Sequence, residues 1–292
     1  MDNKKKIAIT TDTNSGMLPG DGENDGIFVL PMPFIIENEC LLESVDLSRE
    51  EFYNKLAAKA KISTSQPSVG DLSEFWRKIL SEYDEIIHIP TASTLSASYS
   101  TAKSLAEEFQ NRVYVVDNHR ISIILKSSVY DAKALRNNGF SAKEICAKLE
   151  EMQYDCSTYF SLESMEYLKR GGRVSAAAAA IGSILKLRPV LCIQEGKLVK
   201  YALPKSLNKA KTTMIDAVKK DLNGKFKEYA EKGELRLCLV YGDNKDEVAN
   251  FEQEVRKEFP NVPILYNDPM SLSIACHTGP KTFALACMRV LF

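Results

Sequence analysis

The sequence predicts an α/β protein of two domains. The N-terminal domain (residues 1–155) is read as a mostly parallel sheet with helices on both faces, and the C-terminal domain (residues 156–292) as α+β. Three observations carry this reading. Up to residue 152, short apolar runs alternate with amphipathic segments, the pattern of right-handed βαβ crossovers. Val113–Val116 is apolar throughout, as strands buried in a parallel sheet are. Past residue 155 two strand-like runs flank Gln194-Glu195-Gly196, a hairpin signal foreign to a purely parallel domain. At 292 residues the chain is long enough for two domains of common size.

The elements follow in order. Ile7–Thr11 is a short strand, and Ile27–Pro33 and Phe34–Ile36 are strand-like runs broken by prolines that suit an edge. Ser48-Arg-Glu-Glu51 has the form of a capping box and opens a helix to about Lys59. Ser68-Val-Gly-Asp71 starts another, ending near Glu82. Strand Glu85–Ile89, helix Ser96–Gln110 and strand Val113–Val116 come next, then helices over Ser122–Asn137 and Ser141–Met152. In the second half, strands are expected at Ser157–Phe160, Val190–Ile193, Lys197–Tyr201, Leu235–Tyr241 and Pro263–Asn267. Helices are expected over Ser206–Leu222 and Lys245–Glu258, with a last helix starting near Gly279.

Composition removes several function classes. A net charge of -1 argues against a broad basic face for nucleic acid. No apolar run approaches the roughly 20 residues that span a bilayer. The lead-in Met1-Asp-Asn-Lys-Lys-Lys6 is too short for a signal peptide. The seven cysteines are scattered and odd in number, with no C-x-x-C pair, which fits reduced, mostly buried thiols in a cytoplasm. No histidine pair or cysteine cluster has zinc-ligand spacing, so no metal is expected. Neither a P-loop nor a dinucleotide fingerprint is present. Asp12 and Asp117 both end strands; Mg²⁺ binding and plain turn formation explain the pair equally well.

The most informative segment is Tyr167-Leu-Lys-Arg-Gly-Gly-Arg173, running into Val-Ser175, the alanine run 176–180 and Gly182. Gly171-Gly172 permits positive φ and a close approach to another group. Arg173 follows with a planar fork suited to carboxylate or phosphate. The small residues either pack a helix tightly or leave room for a tunnel.

Three further places could hold an anion. Ile62-Ser-Thr64-Ser65-Gln66-Pro67-Ser68 gathers hydroxyls and an amide before a helix, whose N-terminus attracts negative charge; helix capping alone accounts for one or two of them. Ile89-Pro-Thr91-Ala-Ser93-Thr94-Leu95-Ser96 leaves the carboxyl end of a strand, where α/β proteins bind ligands. It lacks the G-x-S-x-G elbow of a nucleophilic serine. Ala275-Cys276-His277-Thr278-Gly279-Pro280-Lys281 puts one of only three histidines at a flexible turn. His88, inside an apolar strand, reads as core or boundary, and His119 lies at a strand end.

Taken together, Thr-Asp-Thr (11–13), Thr-Ser-Gln-Pro-Ser (64–68), Leu-Ser-Ala-Ser-Tyr (95–99), Val-Val-Asp (115–117), Tyr-Leu-Lys-Arg-Gly-Gly-Arg-Val-Ser (167–175), Leu-Arg-Pro (187–189) and His-Thr-Gly-Pro (277–280) resemble the bacterial DegV family over nearly the whole chain. The resemblance implies a two-domain DegV-like fold with a lipid tunnel between the domains. It also implies a function: binding a long-chain fatty acid and presenting its carboxylate to a separate fatty acid kinase catalytic subunit, which makes the acyl phosphate. The chain would be a carrier without catalytic residues of its own, cytoplasmic, with the bound fatty acid in place of any cofactor.

Carried over residue by residue, the carboxylate ligands would be Thr64 or Ser65, Ser93 or Ser96, and His277 with its neighbours Thr278 and Gly279. Arg173 would act on the head group or on the kinase. The chain departs from the usual pattern at Ala97, where the family has glycine, at Ala92 and Asn118, where it has serine, and at Lys281, where it has glycine. Lipid exchange would call for transient contact with a membrane surface, to which the net charge lends no support. Two alternatives remain at this stage: a lipid-responsive regulatory protein, and a hydrolase or acyltransferase using Ser93 or Ser96 with His277 as base.

Overall fold

Strand β1 (Ile7–Asp12) is buried along its whole length, which requires cover on both faces. It lies between β2 (Ile27–Leu30) and β6 (Glu85–Ile89), parallel to both, and β7 (Val113–Val115) completes a four-stranded sheet in the order β2-β1-β6-β7. The structure is a computed structural model and describes residues 5–173 and 187–291. Val174, Ser175, the alanine run and Gly182 lie outside the described residues. The chain divides into two compact units, Met1–Tyr154 and Asp155–Phe292.

In the first unit three helices begin where capping signals place them. Ser48 and Glu51 form a reciprocal capping box at α1 (Arg49–Ala57). Ser68 caps α2 (Val69–Leu80), and Ser141 with Glu144 caps α5 (Ala142–Glu151) in the same way as α1. Between them run α3 (Ser98–Ala106) and α4 (Ile123–Asn137). The core on one side of the sheet gathers Ala8, Leu30, Ile86 and Val113 around Trp76, which is fully buried. Its indole meets the ring of His88 edge-on at 5.2 Å and that of Phe109 at 5.4 Å. His88 is therefore core, as its apolar strand implied.

A second, three-stranded antiparallel sheet has the order β4-β3-β5, from β3 (Pro33–Ile36), β4 (Glu39–Leu42) and β5 (Ile62–Thr64). The apolar stretch from Ile27 to Ile36 thus divides between two sheets, with the break at Pro31 and Met32. Strands β4 and β5 have no sequence signal. The β3–β4 turn is made by Glu37 and Asn38, both at positive φ, without the glycine that usually marks such a turn. Strand β5 is too short to display a period.

The second unit is built on a six-stranded mixed sheet, ordered β10-β9-β8-β13-β11-β12. Its strands are β8 (Cys156–Ser161), β9 (Val190–Gln194), β10 (Lys197–Ala202), β11 (Leu235–Tyr241), β12 (Ile264–Pro269) and β13 (Phe283–Arg289). The β9–β10 hairpin turns at Glu195 and Gly196, both at positive φ. A short helix, α6 (Glu166–Arg170), follows β8. Helices α7 (Leu207–Asn223) and α9 (Lys245–Glu258) pack one sheet face around Met214, Val218, Leu237, Phe251 and Phe283, with α8 (Lys227–Glu231) beside them.

The helix expected from Gly279 onward is a correction. Residues Leu272–Thr278 form α10, which ends at Gly279 with φ +88°, and the chain continues as β13. A left-handed glycine followed by proline stops a helix; it does not start one. Strand β13 then pairs with β8 and β11 on either side, so both of its edges are consumed.

Candidate functional site

Strand order decides where the first unit can bind a ligand. From β1 the chain crosses to β2 on one side, while β6 lies on the other and continues outward to β7. Successive connections therefore leave in opposite directions at β1 and β6. This is the switch point at which open α/β sheets form a crevice beyond the strands' carboxyl ends. The loops that meet there begin at Asp12 and at Pro90.

Asp12 is buried, 2% exposed, and spends its carboxylate on two backbone N–H groups and one hydroxyl. Oδ1 accepts the Asn14 N–H (2.9 Å) and the Thr91 hydroxyl (3.2 Å), and Oδ2 accepts the Thr91 N–H (3.1 Å). Burial pushes its pKa up, and these same hydrogen bonds oppose the rise. Across β6, Asp117 Oδ1 accepts the N–H groups of Ser93 (3.4 Å) and His119 (3.3 Å). Both aspartates act as turn formers. Among the described residues no group of three or more His, Cys, Asp or Glu side chains is placed to hold a metal.

The hydroxyls named from sequence fall as follows. Ser93 is half-buried in the β6–α3 loop. Ser96 accepts the N–H of Ser98 (3.2 Å) and lies 2.8 Å from the Ser98 hydroxyl, so it supports the start of α3. Thr64 ends β5 opposite Phe34, and exposed Ser65 follows, its N–H donating to Pro33 O (3.1 Å) and its hydroxyl to Gln66 O (3.0 Å). These two residues end a strand, and it is Ser68 that caps α2. Gln66 Nε2 donates to Thr101 Oγ1 (3.0 Å), which ties the Thr64–Ser65 segment to α3 and so brings the first two hydroxyl groups of the sequence reading to one side of this unit.

A water-sized cavity of about 10 Å³ lies among Asp12, Gln66, His88, Ser98 and Thr101. His88 Nδ1 is 2.9 Å from Thr10 Oγ1, and burial lowers its pKa to about 3, so the ring is neutral.

In the second unit α6 packs against α10, and His277 occupies the last turn of α10. Burial, Arg173 and Arg170 lower its pKa from 6.5 to about 4. A neutral imidazole in a cationic setting can donate one hydrogen bond to an anion without carrying charge itself. Exposed Arg173 donates from Nη1 to Gly171 O (2.8 Å). Thr278 is buried, and its hydroxyl is committed to Ile274 O (3.1 Å) and Met270 Sδ (3.3 Å). The Gly279 N–H closes the helix on Ala275 O (2.8 Å). Lys281 Nζ lies 3.4 Å from Glu163 Oε1, which Arg188 also approaches at 3.7 Å.

Sequence reasoning named Asp12 and Asp117 without finding their partners. It also missed the approach of Gly171 to His277. The signals existed, two strand-end aspartates and a glycine pair, but none identifies its partner.

Comparison with known proteins covers nearly the whole chain. A family model described as "uncharacterised protein, DegV family" matches residues 6–290. The protein DegV of Bacillus subtilis is 27% identical over 278 residues, 94% of this chain and 95% of that one. Three solved structures superpose over 98% of this chain. One, described as fatty acid binding of a DegV family protein from Thermus thermophilus, has TM-score 0.85, 29% identity and 100% of its own chain covered. DegV of Bacillus subtilis, described as a fatty acid binding protein, has TM-score 0.84, 26% identity and 99% coverage. A Thermotoga maritima protein, described as revealing fatty acid binding function, has TM-score 0.80, 26% identity and 100% coverage. Among the described residues no helix is long and apolar enough to cross a membrane.

Proposed function

The chain belongs to the DegV family, and from that premise we propose that it binds a long-chain fatty acid and presents the carboxylate to a separate fatty acid kinase, acting as a carrier and not as a catalyst. The observation that carries the binding step is the whole-chain likeness, at TM-scores of 0.80 to 0.85, to three structures described as fatty-acid binding. The kinase step rests on the motif resemblance centred on Tyr167–Arg173.

The physics is consistent with this reading. An acyl tail gains about 0.8 kcal/mol per buried CH₂, so the tail supplies most of the affinity. The carboxylate loses water and needs donors. In the first unit the candidates are the hydroxyls of Thr64, Ser65, Ser93 and Ser96; in the second they are the neutral imidazole of His277 and the exposed guanidinium of Arg173.

Mass spectrometry of an organic extract, with native mass of the intact protein, tests the binding step. One stoichiometric fatty acid per chain is expected. A protein that carries none and takes up none when offered hexadecanoate would overturn the reading. The transfer step is tested by adding the loaded protein to a fatty acid kinase and ATP. Ser93→Ala and His277→Ala are expected to cut acyl-phosphate formation more than tail binding; wild-type transfer by both would remove these residues from the head-group site.

A further inference from the structure

Three consecutive amides after β6 are all taken by groups outside their loop. Thr91 N–H donates to Asp12 Oδ2 (3.1 Å), Ala92 N–H to the carbonyl of Arg120 (3.0 Å) and Ser93 N–H to Asp117 Oδ1 (3.4 Å). The Thr91 hydroxyl adds a second bond to Asp12 (3.2 Å). Asp12 ends β1 and Asp117 follows β7, and these are the two strands that flank β6. The loop is thus pinned from both sides by carboxylates that the chain supplies from 79 residues upstream of Thr91 and 24 residues downstream of Ser93.

This has a chemical consequence. Free amides in a loop at a strand's carboxyl end would form an anion-binding nest. Here the amides of residues 91–93 are consumed, so an anion arriving at this stretch meets the Ser93 hydroxyl and none of these three N–H groups. Where the Ser93 hydroxyl points then depends on where the backbone of residues 91–93 is held.

We propose that Asp12 and Asp117 are positioning residues that set the Ser93 hydroxyl for the ligand head group, and so govern discrimination between a carboxylate and a neutral head on the same tail. The proposal rests on the fatty-acid reading above. Neither aspartate touches the ligand in this account. Their effect is transmitted through two backbone hydrogen bonds, one of 3.1 Å from Thr91 and a longer one of 3.4 Å from Ser93, and through one from the Thr91 hydroxyl.

The test measures affinities for hexadecanoic acid and hexadecan-1-ol by displacement of a fluorescent fatty acid, and takes their ratio. The wild type is expected to prefer the acid. Asp117→Ala should lower the ratio about tenfold, the order of one lost hydrogen bond to a charged group, with hexadecan-1-ol affinity held within about twofold. Asp117→Asn, whose Oδ1 still accepts the Ser93 N–H, should recover most of the preference. Amide hydrogen exchange at Ser93, read without ligand, should accelerate in Asp117→Ala and not in Asp117→Asn. Thr91→Val reads the same ratio from the Asp12 side and serves if Asp117→Ala does not fold. A wild-type ratio in either folded variant overturns the positioning role and leaves the carrier reading standing. A wild type that binds both probes without preference also overturns the positioning role. A wild type that binds neither overturns both.

Discussion

Gly171 lies against the imidazole of His277 so closely that a β-carbon at residue 171 would stand 2.0 Å from Nδ1. Its φ of −77° is open to any residue, so contact and not backbone conformation accounts for this glycine. Gly172 beside it is the reverse case, with φ +68° and nothing within 4 Å of an added β-carbon. Gly171→Ala is therefore expected to push the ring aside at little cost to the fold and to return the His277 pKa toward its ordinary value. Gly172→Ala should cost about 1–2 kcal/mol of stability and leave the ring alone. An NMR titration of His277 in both variants, with melting curves, checks this; an unmoved titration in Gly171→Ala would refute it.

The pH response of His277 has a definite sign. Its pKa is lowered from 6.5 to about 4 in the folded chain, so the unfolded chain takes up the proton first as pH falls. The group's contribution is full above about pH 6.5 and is lost between there and about pH 4, amounting to at most about 3 kcal/mol and less after solvent screening. Burial of Asp12 acts in the opposite direction, raising its pKa, but it is common to wild type and variant. Denaturant unfolding of wild type and His277→Gln at pH 7 and pH 4.5 is expected to show a smaller loss in the variant. Equal losses would mean that the ring is solvated.

Gly242 is pressed against backbone. A β-carbon there would lie 2.1 Å from the carbonyl oxygen of Pro280 and 2.8 Å from its carbon. The Gly242 N–H is also bonded to Thr282 O (2.9 Å), so the segment after β11 and the one before β13 cannot separate freely. Gly242→Ala should cost about 2–3 kcal/mol through overpacking. A fall in urea midpoint at constant slope is the expected signature, and a loss under about 0.5 kcal/mol would contradict the packing.

Phe251 is fully buried on α9, its ring 5.3 Å from that of Phe283 at 72°. Phe251→Ala should cost about 3–5 kcal/mol by leaving a cavity against the central strand. Thermal unfolding followed by far-ultraviolet circular dichroism reads this; a melting point within about 2 °C of wild type would mean that the site collapses around the loss.

Local features were legible in the sequence. Ser48-Arg-Glu-Glu51 and the hairpin turn at Glu195-Gly196 are each written within a few adjacent residues, and both form as read. The turn between β3 and β4 was not legible, because Glu37 and Asn38 take positive φ without a glycine to announce it. The last strand was not legible because Gly279-Pro280 ends a helix whose start at Leu272 has no strong local signal, and the apolar run that follows is claimed by open edges on β8 and β11.

The sequence by itself determined the βαβ alternation of the first half and the capped starts of α1, α2 and α5, because capping and hydrophobic period act over one or two turns of chain. Tertiary structure alone decided which side chains those segments meet. Asp12 holds Thr91 across 79 residues of sequence, and Gly171 makes room for His277. Such pairings follow from strand order and close approach, and no local pattern encodes which distant residue a carboxylate or a missing β-carbon will face.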